Sequence, residues 1–130
     1  MTEQWFEKNP ERLAVEMRAV QERFPSFEFR RIRDGGLCLK GKLRTLSGAT
    51  HDVVLVYSSN FPQTAPKVYP IPRRDGPHQY SDGSMCLYGT NDRVWLSTST
   101  APVILALAAL WLHAYDIYRQ TGRWPGRQHT

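Results

Sequence analysis

The sequence predicts an α+β domain, in which helices pack against one antiparallel sheet. Three observations predict this class. Apolar residues recur at helical spacing between residues 13 and 24, at alternate positions through much of residues 27–57, and almost continuously from residue 101 to residue 117. With 130 residues, the chain has the size of one ordinary domain. We therefore expect residues 1–130 to form a single domain around one core.

The composition is that of a globular protein, with 41% hydrophobic and 22% charged residues. The net charge of +5 comes from basic residues interleaved with twelve acidic ones rather than gathered in a run, which disfavours nucleic-acid binding. Residues 1–12 lack the pattern of a secretion signal, and the apolar stretch from Ala101 to Leu112 is too short to span a bilayer. We expect a cytoplasmic protein that binds neither nucleic acid nor membrane.

Asn9-Pro10-Glu11 predicts the start of a helix, because Asn caps helix N-termini, Pro suits the first position and Glu favours the positive end of the helix dipole. Apolar residues then follow at intervals of four, three and four and are predicted to face the core: Leu13, Met17, Val20 and Phe24. The charged residues between them are predicted to face solvent or a partner: Arg12, Glu16, Arg18, Glu22 and Arg23. Pro25 is predicted to end this helix.

Alternating apolar residues from Phe27 onward predict antiparallel strands, separated by turns that contain glycine. The run from Asp52 to Tyr57 predicts a central strand covered on both faces. Val68-Tyr69 predicts a short edge strand that Pro70 and Pro72 close, since proline cannot donate to a sheet ladder. Together these segments predict a four-stranded antiparallel β-meander.

The two cysteines are predicted to be reduced thiols rather than a disulfide pair. Cys38 alternates with leucines and shares its strand face with basic residues, so we expect a semi-exposed side chain without chemistry. Cys86 lies in residues 73–98, which show no sustained apolar period. A long irregular segment in a small domain is usually functional. We therefore interpret Cys86 as a nucleophile on a loop.

The last apolar run predicts a buried helix. Residues 97–100 offer several N-cap side chains and Pro102 lies just inside the helix. The helix is predicted to reach about Arg119, with Gly122 as its stop. Because apolar side chains surround most of it, it should pack on the sheet. Trp124 is predicted to anchor an irregular tail.

Four segments resemble, in the same order, the ubiquitin-conjugating enzyme family. They are Phe61-Pro62 through Val68, His78, Gly83-Ser84-Met85-Cys86-Leu87, and Trp95 with Ser97–Thr100. The family has Tyr-Pro-x-x-x-Pro before a strand, His-Pro-Asn, Gly-x-x-Cys-Leu, and a Trp before a Ser/Thr-rich helix cap. The resemblance implies the ubiquitin-conjugating-enzyme-like fold, with an N-terminal helix, the four-stranded meander, a long active-site loop and one buried C-terminal helix.

Two departures refine the resemblance. Gln79-Tyr80 stand where the family has Pro-Asn, and His78 lies eight residues before Cys86, about two fewer than is usual in the eukaryotic enzymes. Together with the short tail after the buried helix, these features are similar to compact bacterial members from short CBASS antiphage operons. That resemblance implies a donor, the C-terminal glycine of a cGAS-like nucleotidyltransferase. The implied acceptor is an amine on a protein or a small molecule.

The resemblance implies acyl transfer through a thioester on Cys86, since a thiolate attacks an activated carbonyl and also leaves easily. His78 is expected mainly to brace the active-site loop, with a general base as the alternative. Because the family's asparagine is missing, Tyr80 or Asn91 is the candidate donor to the oxyanion. Asp92 is expected to orient or deprotonate the attacking amine. Each of these last three side chains can instead serve only the loop's own structure. No cofactor or metal is implied.

Nearby positive charge would raise the thiolate fraction of an ordinary cysteine. The candidates in the same segment are Arg73, Arg74 and Arg93. A zinc site is less well supported, because zinc takes three or four closely spaced ligands and the segment offers only His78 and Cys86. A cysteine protease is not favoured either, since no protease signature surrounds Cys86.

Two further functions stay open. A non-catalytic binding module of the same fold would recruit a protein through the sheet or the first helix, with Cys86 incidental. A conjugating enzyme for a bacterial ubiquitin-like protein would differ in its partners, since it would require a separate activating enzyme.

Overall fold

The computed structural model describes residues 3–87 and 95–126. Its helices and strands are α1 (Trp5–Lys8), α2 (Pro10–Arg23), β1 (Glu28–Arg31), β2 (Leu37–Arg44), β3 (Thr50–Val56), β4 (Lys67–Ile71) and α3 (Ala101–Thr121). The four strands form one antiparallel sheet in the order β1-β2-β3-β4. The predicted α+β class and the meander are confirmed. The single turn of α1 is not predicted by the sequence pattern.

One face of the sheet forms the floor of the core. The side chains on this face are at most 2% exposed at five positions: Leu39, Leu43, Val53, Leu55 and Val68. On the opposite face, Lys40 and Lys42 are exposed, as the alternation of a strand requires. β3 is central, but its outward Val54 and Val56 are only partly covered. The prediction of cover on both faces is therefore correct for one face only.

Cys38 is more buried than the sequence pattern predicts. Its side chain is only 5% exposed, although it lies on the same face as the exposed Lys40. In the register of the sheet, Arg30 of β1 and Val56 of β3 flank it on either side. The expectation of a semi-exposed cysteine is wrong because neighbouring strands cover it, which alternation along one strand cannot reveal. Burial also raises the pKa of the Cys38 thiol.

Helix α2 begins where the sequence predicts, with the Asn9 side chain accepting a hydrogen bond from the Arg12 N–H at 3.1 Å. Its buried face differs from the prediction. Met17 is 49% exposed, whereas Glu16 is 0% exposed. The helix is rotated so that Glu16, rather than Met17, lies on the buried side with Val20. The prediction for Met17 was wrong because it relied on apolar spacing alone, and the prediction for Glu16 was wrong because it assumed that an acidic residue faces solvent.

The Glu16 carboxylate is buried because it joins three elements. The Tyr57 hydroxyl donates to it at 2.8 Å, the Ala101 N–H at 3.0 Å, and the Arg12 guanidinium at 3.3 Å. Burial raises the pKa of Glu16, and these three donors oppose that effect. Arg12 also donates to the carbonyls of Ser97 and Ser99. This group of contacts ties α2 to the end of β3 and to the chain that enters α3.

Helix α3 confirms the predicted buried C-terminal helix. Its N-cap is Thr100 and its C-cap is Gly122, whose φ of 77° is the left-handed conformation that glycine adopts readily. Side chains on one side are completely buried: Ile104, Leu105, Ala108 and Leu112. By length and composition α3 could cross a membrane, but a core helix of a soluble protein passes the same test. Its buried side belongs to the main core, which identifies α3 as a core helix.

We expect Glu16→Ala to lower the free energy of unfolding by about 3 kcal/mol, because removing one partner of a buried ion pair leaves the other charge uncompensated. The neighbouring Arg12 side chain is only 12% exposed, so water cannot fully replace the lost carboxylate. Glu16→Gln should cost less, since its oxygen still accepts hydrogen bonds. Urea unfolding measures both changes.

The matched control is Glu22→Ala, which removes an exposed glutamate from the same helix. It should change the unfolding free energy by no more than about 0.5 kcal/mol. Equal losses for Glu16→Ala and Glu22→Ala would contradict the structural role of the Glu16 carboxylate.

Candidate active site

Residues 78–86 form a closed turn, called the cysteine turn below. The Cys86 N–H donates to the His78 carbonyl at 2.8 Å, and the Tyr80 N–H donates to the Ser84 carbonyl at 2.9 Å. Gly83 closes the tip, with its N–H 2.9 Å from the Tyr80 carbonyl and a φ of 91°. That φ favours glycine over residues with a Cβ. The turn therefore brings His78 and Cys86 together at its base.

Asp82 fixes the tip of the cysteine turn to β4. Its carboxylate accepts from the Ser84 hydroxyl at 2.6 Å and the Ser84 N–H at 2.9 Å. It also accepts from the Lys67 ammonium at 3.0 Å and the Tyr69 hydroxyl at 3.2 Å. The bonds from Ser84, followed by that from Lys67, hold the pKa of Asp82 well below its usual value. A second tie is the hydrogen bond from the Met85 N–H to the Val68 carbonyl at 2.9 Å.

Two of the three arginines expected near the thiol lie in the described chain. Arg73 donates to the Ser81 carbonyl at 2.9 Å, and its guanidinium carbon lies 3.4 Å from where a Cβ at Gly83 would be. Arg74 instead donates to the ring nitrogen Nδ1 of His51 at 3.0 Å. Arg73 therefore supports the cysteine turn, whereas Arg74 joins a separate cluster at α3. Arg93 lies outside the described residues.

Cys86 and Cys38 differ sharply in access. Neither is in a disulfide, and Cys86 is half-buried whereas Cys38 is buried. The residues on either side of Cys86, Met85 and Leu87, line a cleft of about 350 Å³. The other lining residues are Gln63, Thr64, Ala65, Pro66, Lys67, Tyr80 and Trp95. A reagent or chain end can thus approach the turn that carries Cys86.

The cleft is bounded by three of the four segments that resemble the conjugating enzymes. The Trp95 indole N–H donates to the Pro62 carbonyl at 2.8 Å, and its ring lies 5.7 Å from that of Phe61. Phe61 is 2% exposed and belongs to the main core. The wall of the cleft is therefore continuous with the core rather than a loose loop.

His78 contributes to the turn through its backbone. Its carbonyl accepts from the Cys86 N–H and also from the Trp111 indole N–H at 2.9 Å. Its imidazole packs against Trp124, and in the described part of the chain Nε2 is buried without a hydrogen-bond partner. This arrangement favours the bracing role over the general base.

The other expected site residues are only partly described. Tyr80 is 44% exposed and lies at the cleft. Asn91 and Asp92 lie outside the described residues. The sequence analysis did not predict that Asp82, Trp111 and Trp124 support the cysteine turn. Asp82-Gly83-Ser84 is a recognisable turn signal, whereas the contacts of the two tryptophans have no local signal.

Residues 16–130 match the family described as type II CBASS E2 protein. The chain belongs to this family. This membership supports a conjugating-enzyme-like role in CBASS for the chain. The comparison with curated proteins gives no significant match.

Solved structures agree on the fold of this CBASS E2. A complex of the Vps23 UEV with ubiquitin matches with a TM-score of 0.56 and 18% identity, covering 81% of this chain and 84% of the other. The human ubiquitin-conjugating enzyme E2 G1 matches with a TM-score of 0.54 and 19% identity, covering 78% and 92%. These likenesses show the fold alone, and they confirm the predicted ubiquitin-conjugating-enzyme-like architecture.

No group of three or more His, Cys, Asp or Glu side chains within residues 3–87 and 95–126 is arranged to hold a metal ion. Both ring nitrogens of His51 have partners. Nε2 lies 3.1 Å from a carboxylate oxygen of Asp116, and Nδ1 accepts from Arg74, so His51 joins β3 to α3.

The Asp82 contacts predict a pH dependence of the cysteine turn. Because the pKa of Asp82 is lower in the folded protein, its contribution to stability is present above the unfolded-state value of about 3.9 and is lost as the pH falls toward the folded-state value. Hydrogen exchange should show protection of the Ser84 amide falling below about pH 4, relative to the core amide of Leu55.

Asp82→Asn is the matched variant, since it keeps an oxygen for the Ser84 N–H and removes the charge that pairs with Lys67. Its Ser84 amide should be less protected at neutral pH and insensitive to pH in the acid range. If the wild-type protein protects the Ser84 amide equally across that range, Asp82 does not stabilise the turn.

Proposed function

We propose that this CBASS E2 forms a thioester between Cys86 and the C-terminal glycine of a protein partner and then transfers that glycine to an amine. The observation that carries the proposal is the placement of Cys86. It is half-buried at the base of a closed turn and flanked by residues of a cleft, while Cys38 is buried in the sheet. Only one of the two thiols is thus presented to a partner.

The chemistry follows from the properties of a thiolate. The Cys86 sulfur attacks the carbonyl carbon of an activated C-terminal glycine, the C–S bond forms, and the activating group leaves. An amine then attacks the same carbon, the C–N bond forms, and the C–S bond breaks to release the thiolate. The amine loses its proton to a base, for which Asp92 is our candidate. Tyr80 or Asn91 donates to the oxyanion.

The structure supports a chain end as substrate, because the cleft beside the turn is open and mostly bordered by apolar side chains such as Met85, Leu87 and Trp95. Such a surface accepts an extended tail without requiring buried charge. We infer that the donor is a cGAS-like nucleotidyltransferase and that the reaction occurs in the cytoplasm, where thiols stay reduced. A ubiquitin-like donor with a separate activating enzyme would use the same thiol.

A non-catalytic binding module is the second candidate, because the Vps23 UEV structure is a complex with ubiquitin. In that case Cys86 would have no greater reactivity than its exposure alone explains. Alkylation of the folded protein, followed separately at each cysteine by peptide mapping, distinguishes the two functions. Because Cys38 is buried, the reference is Cys86 itself in the urea-unfolded protein at the same pH. Conjugation predicts that Cys86 is alkylated faster in the folded protein than in this reference, and a binding module predicts that it is alkylated more slowly.

Purification with the native operon partner tests the proposal directly. The wild-type protein should show an adduct on a non-reducing gel that a reducing agent removes, and Cys86→Ala should abolish it. Cys86→Ser should leave a more stable ester if its hydroxyl is acylated. Cys38→Ser is the matched control and should retain the adduct. Full conjugation by Cys86→Ala would show that the nucleophile is elsewhere.

A further inference from the structure

We propose that Trp111 and Trp124 are positioning residues that hold the cysteine turn in the conformation needed for transfer. The inference rests on the proposed function of Cys86 and adds a role for the end of the chain. We assign neither tryptophan a direct role at the reacting atoms. Both act through His78, whose backbone and side chain they contact separately.

The first observation is the backbone conformation of His78. Its φ is 61°, and it is the one non-glycine residue with positive φ in the described part of the chain. A residue with a Cβ adopts this left-handed conformation at a cost, so it persists only where surrounding contacts impose it. The contacts around His78 must therefore supply that constraint.

The Trp111 indole supplies one such contact. Its N–H donates to the His78 carbonyl at 2.9 Å, and the same carbonyl accepts from the Cys86 N–H at 2.8 Å. One oxygen thus joins the base of the cysteine turn to α3. Trp111 is 5% exposed and its ring stacks on that of Tyr115 at 5.6 Å, so its donor is held in place.

Trp124 holds the other side of His78. Its ring lies 4.8 Å from the His78 imidazole and 5.4 Å from the Trp111 ring. The imidazole Nε2 is buried with no hydrogen-bond partner among the described residues, so it is packing, rather than a hydrogen bond at this atom, that orients the ring. The tail that leaves α3 therefore covers the residue that closes the cysteine turn.

Trp124 reaches His78 because α3 ends with a defined turn. Gly122 has a φ of 77°, and its N–H donates to the Tyr118 carbonyl at 2.7 Å. The Thr121 hydroxyl then accepts from the Arg123 N–H at 3.2 Å. These bonds direct the chain back along the helix, so that Trp124 lies 6.2 Å from the Tyr118 ring. The position of Trp124 is thus built into the fold rather than left to a loose terminus.

The test uses Trp111→Phe, which keeps an aromatic ring and removes the N–H, together with Trp124→Ala and the conservative Trp124→Phe. Arg123→Ala is the matched control, because Arg123 is exposed and adjacent. Trp111→Phe and Trp124→Ala should lower kcat for transfer by about tenfold or more, with little change in KM for the donor, since misplacing a reacting group by about 1 Å costs up to about 100-fold. Trp124→Phe should recover most of the rate.

A second readout separates this inference from the proposed function. Hydrogen exchange at the Cys86 amide should be about tenfold faster or more in Trp111→Phe and Trp124→Ala, because its acceptor is no longer fixed. If the wild-type protein forms no thioester, the proposed function fails, and the positioning role in transfer fails with it. The exchange results would then show only whether the tryptophans brace the turn. If thioester forms but either transfer or exchange is unchanged in Trp111→Phe, Trp111 does not position Cys86. Should Trp124→Ala fail to fold, Trp111→Phe decides the matter.

Discussion

A single carbonyl oxygen, that of His78, holds the candidate site together. It accepts from the Cys86 N–H on one side and from the Trp111 indole on the other. The first bond closes the turn that carries the thiol, and the second fixes that turn to the longest helix of the fold. Because the turn has only an isolated antiparallel bridge between Gln79 and Met85, these bonds supply part of the pairing that a regular strand would provide.

Contacts of the same kind also position the chain between β4 and α3 at the residues that the structure describes there, 72–87 and 95–100. Near its beginning, Asp82 ties the cysteine turn to β4 through Lys67 and Tyr69. Near its end, Arg12 donates to the carbonyls of residues 97 and 99, and Glu16 accepts from the first N–H of α3. Irregular backbone can be positioned accurately when charged or polar side chains from rigid elements meet it at both ends.

Local signals in the sequence were sufficient for much of this fold. The Asn9 cap, the alternation in the strands and the Gly122 stop act over a few residues, and the structure has each of them. Glu16 and Cys38 depart from expectation because their burial depends on partners far along the chain. Tyr57 lies 41 residues from Glu16 and Ala101 lies 85 residues from it. Periodicity along one element contains no information about such partners.

For the candidate site, too, the local motif was informative, whereas contacts between distant residues could not be predicted. The motif around Cys86 predicted that this residue lies on a loop, and residues 78–86 form a turn in which Cys86 is half-buried. The contacts that fix it could not be read from the motif, since Trp111 is 33 residues from His78 and meets it only after α3 has packed. The contribution of Asn91 and Asp92 belongs to residues that the structure does not describe.

The most direct test supplies the donor's C-terminal peptide as a thioester of a small thiol, so that activation by another protein is not required. After incubation without reducing agent, digestion and mass spectrometry locate any acyl group. If Cys86 is the nucleophile, the peptide's terminal glycine should be attached to Cys86 and should be removed by mild hydroxylamine. Binding of the peptide without acylation of Cys86, or acylation at Cys38 instead, would contradict it.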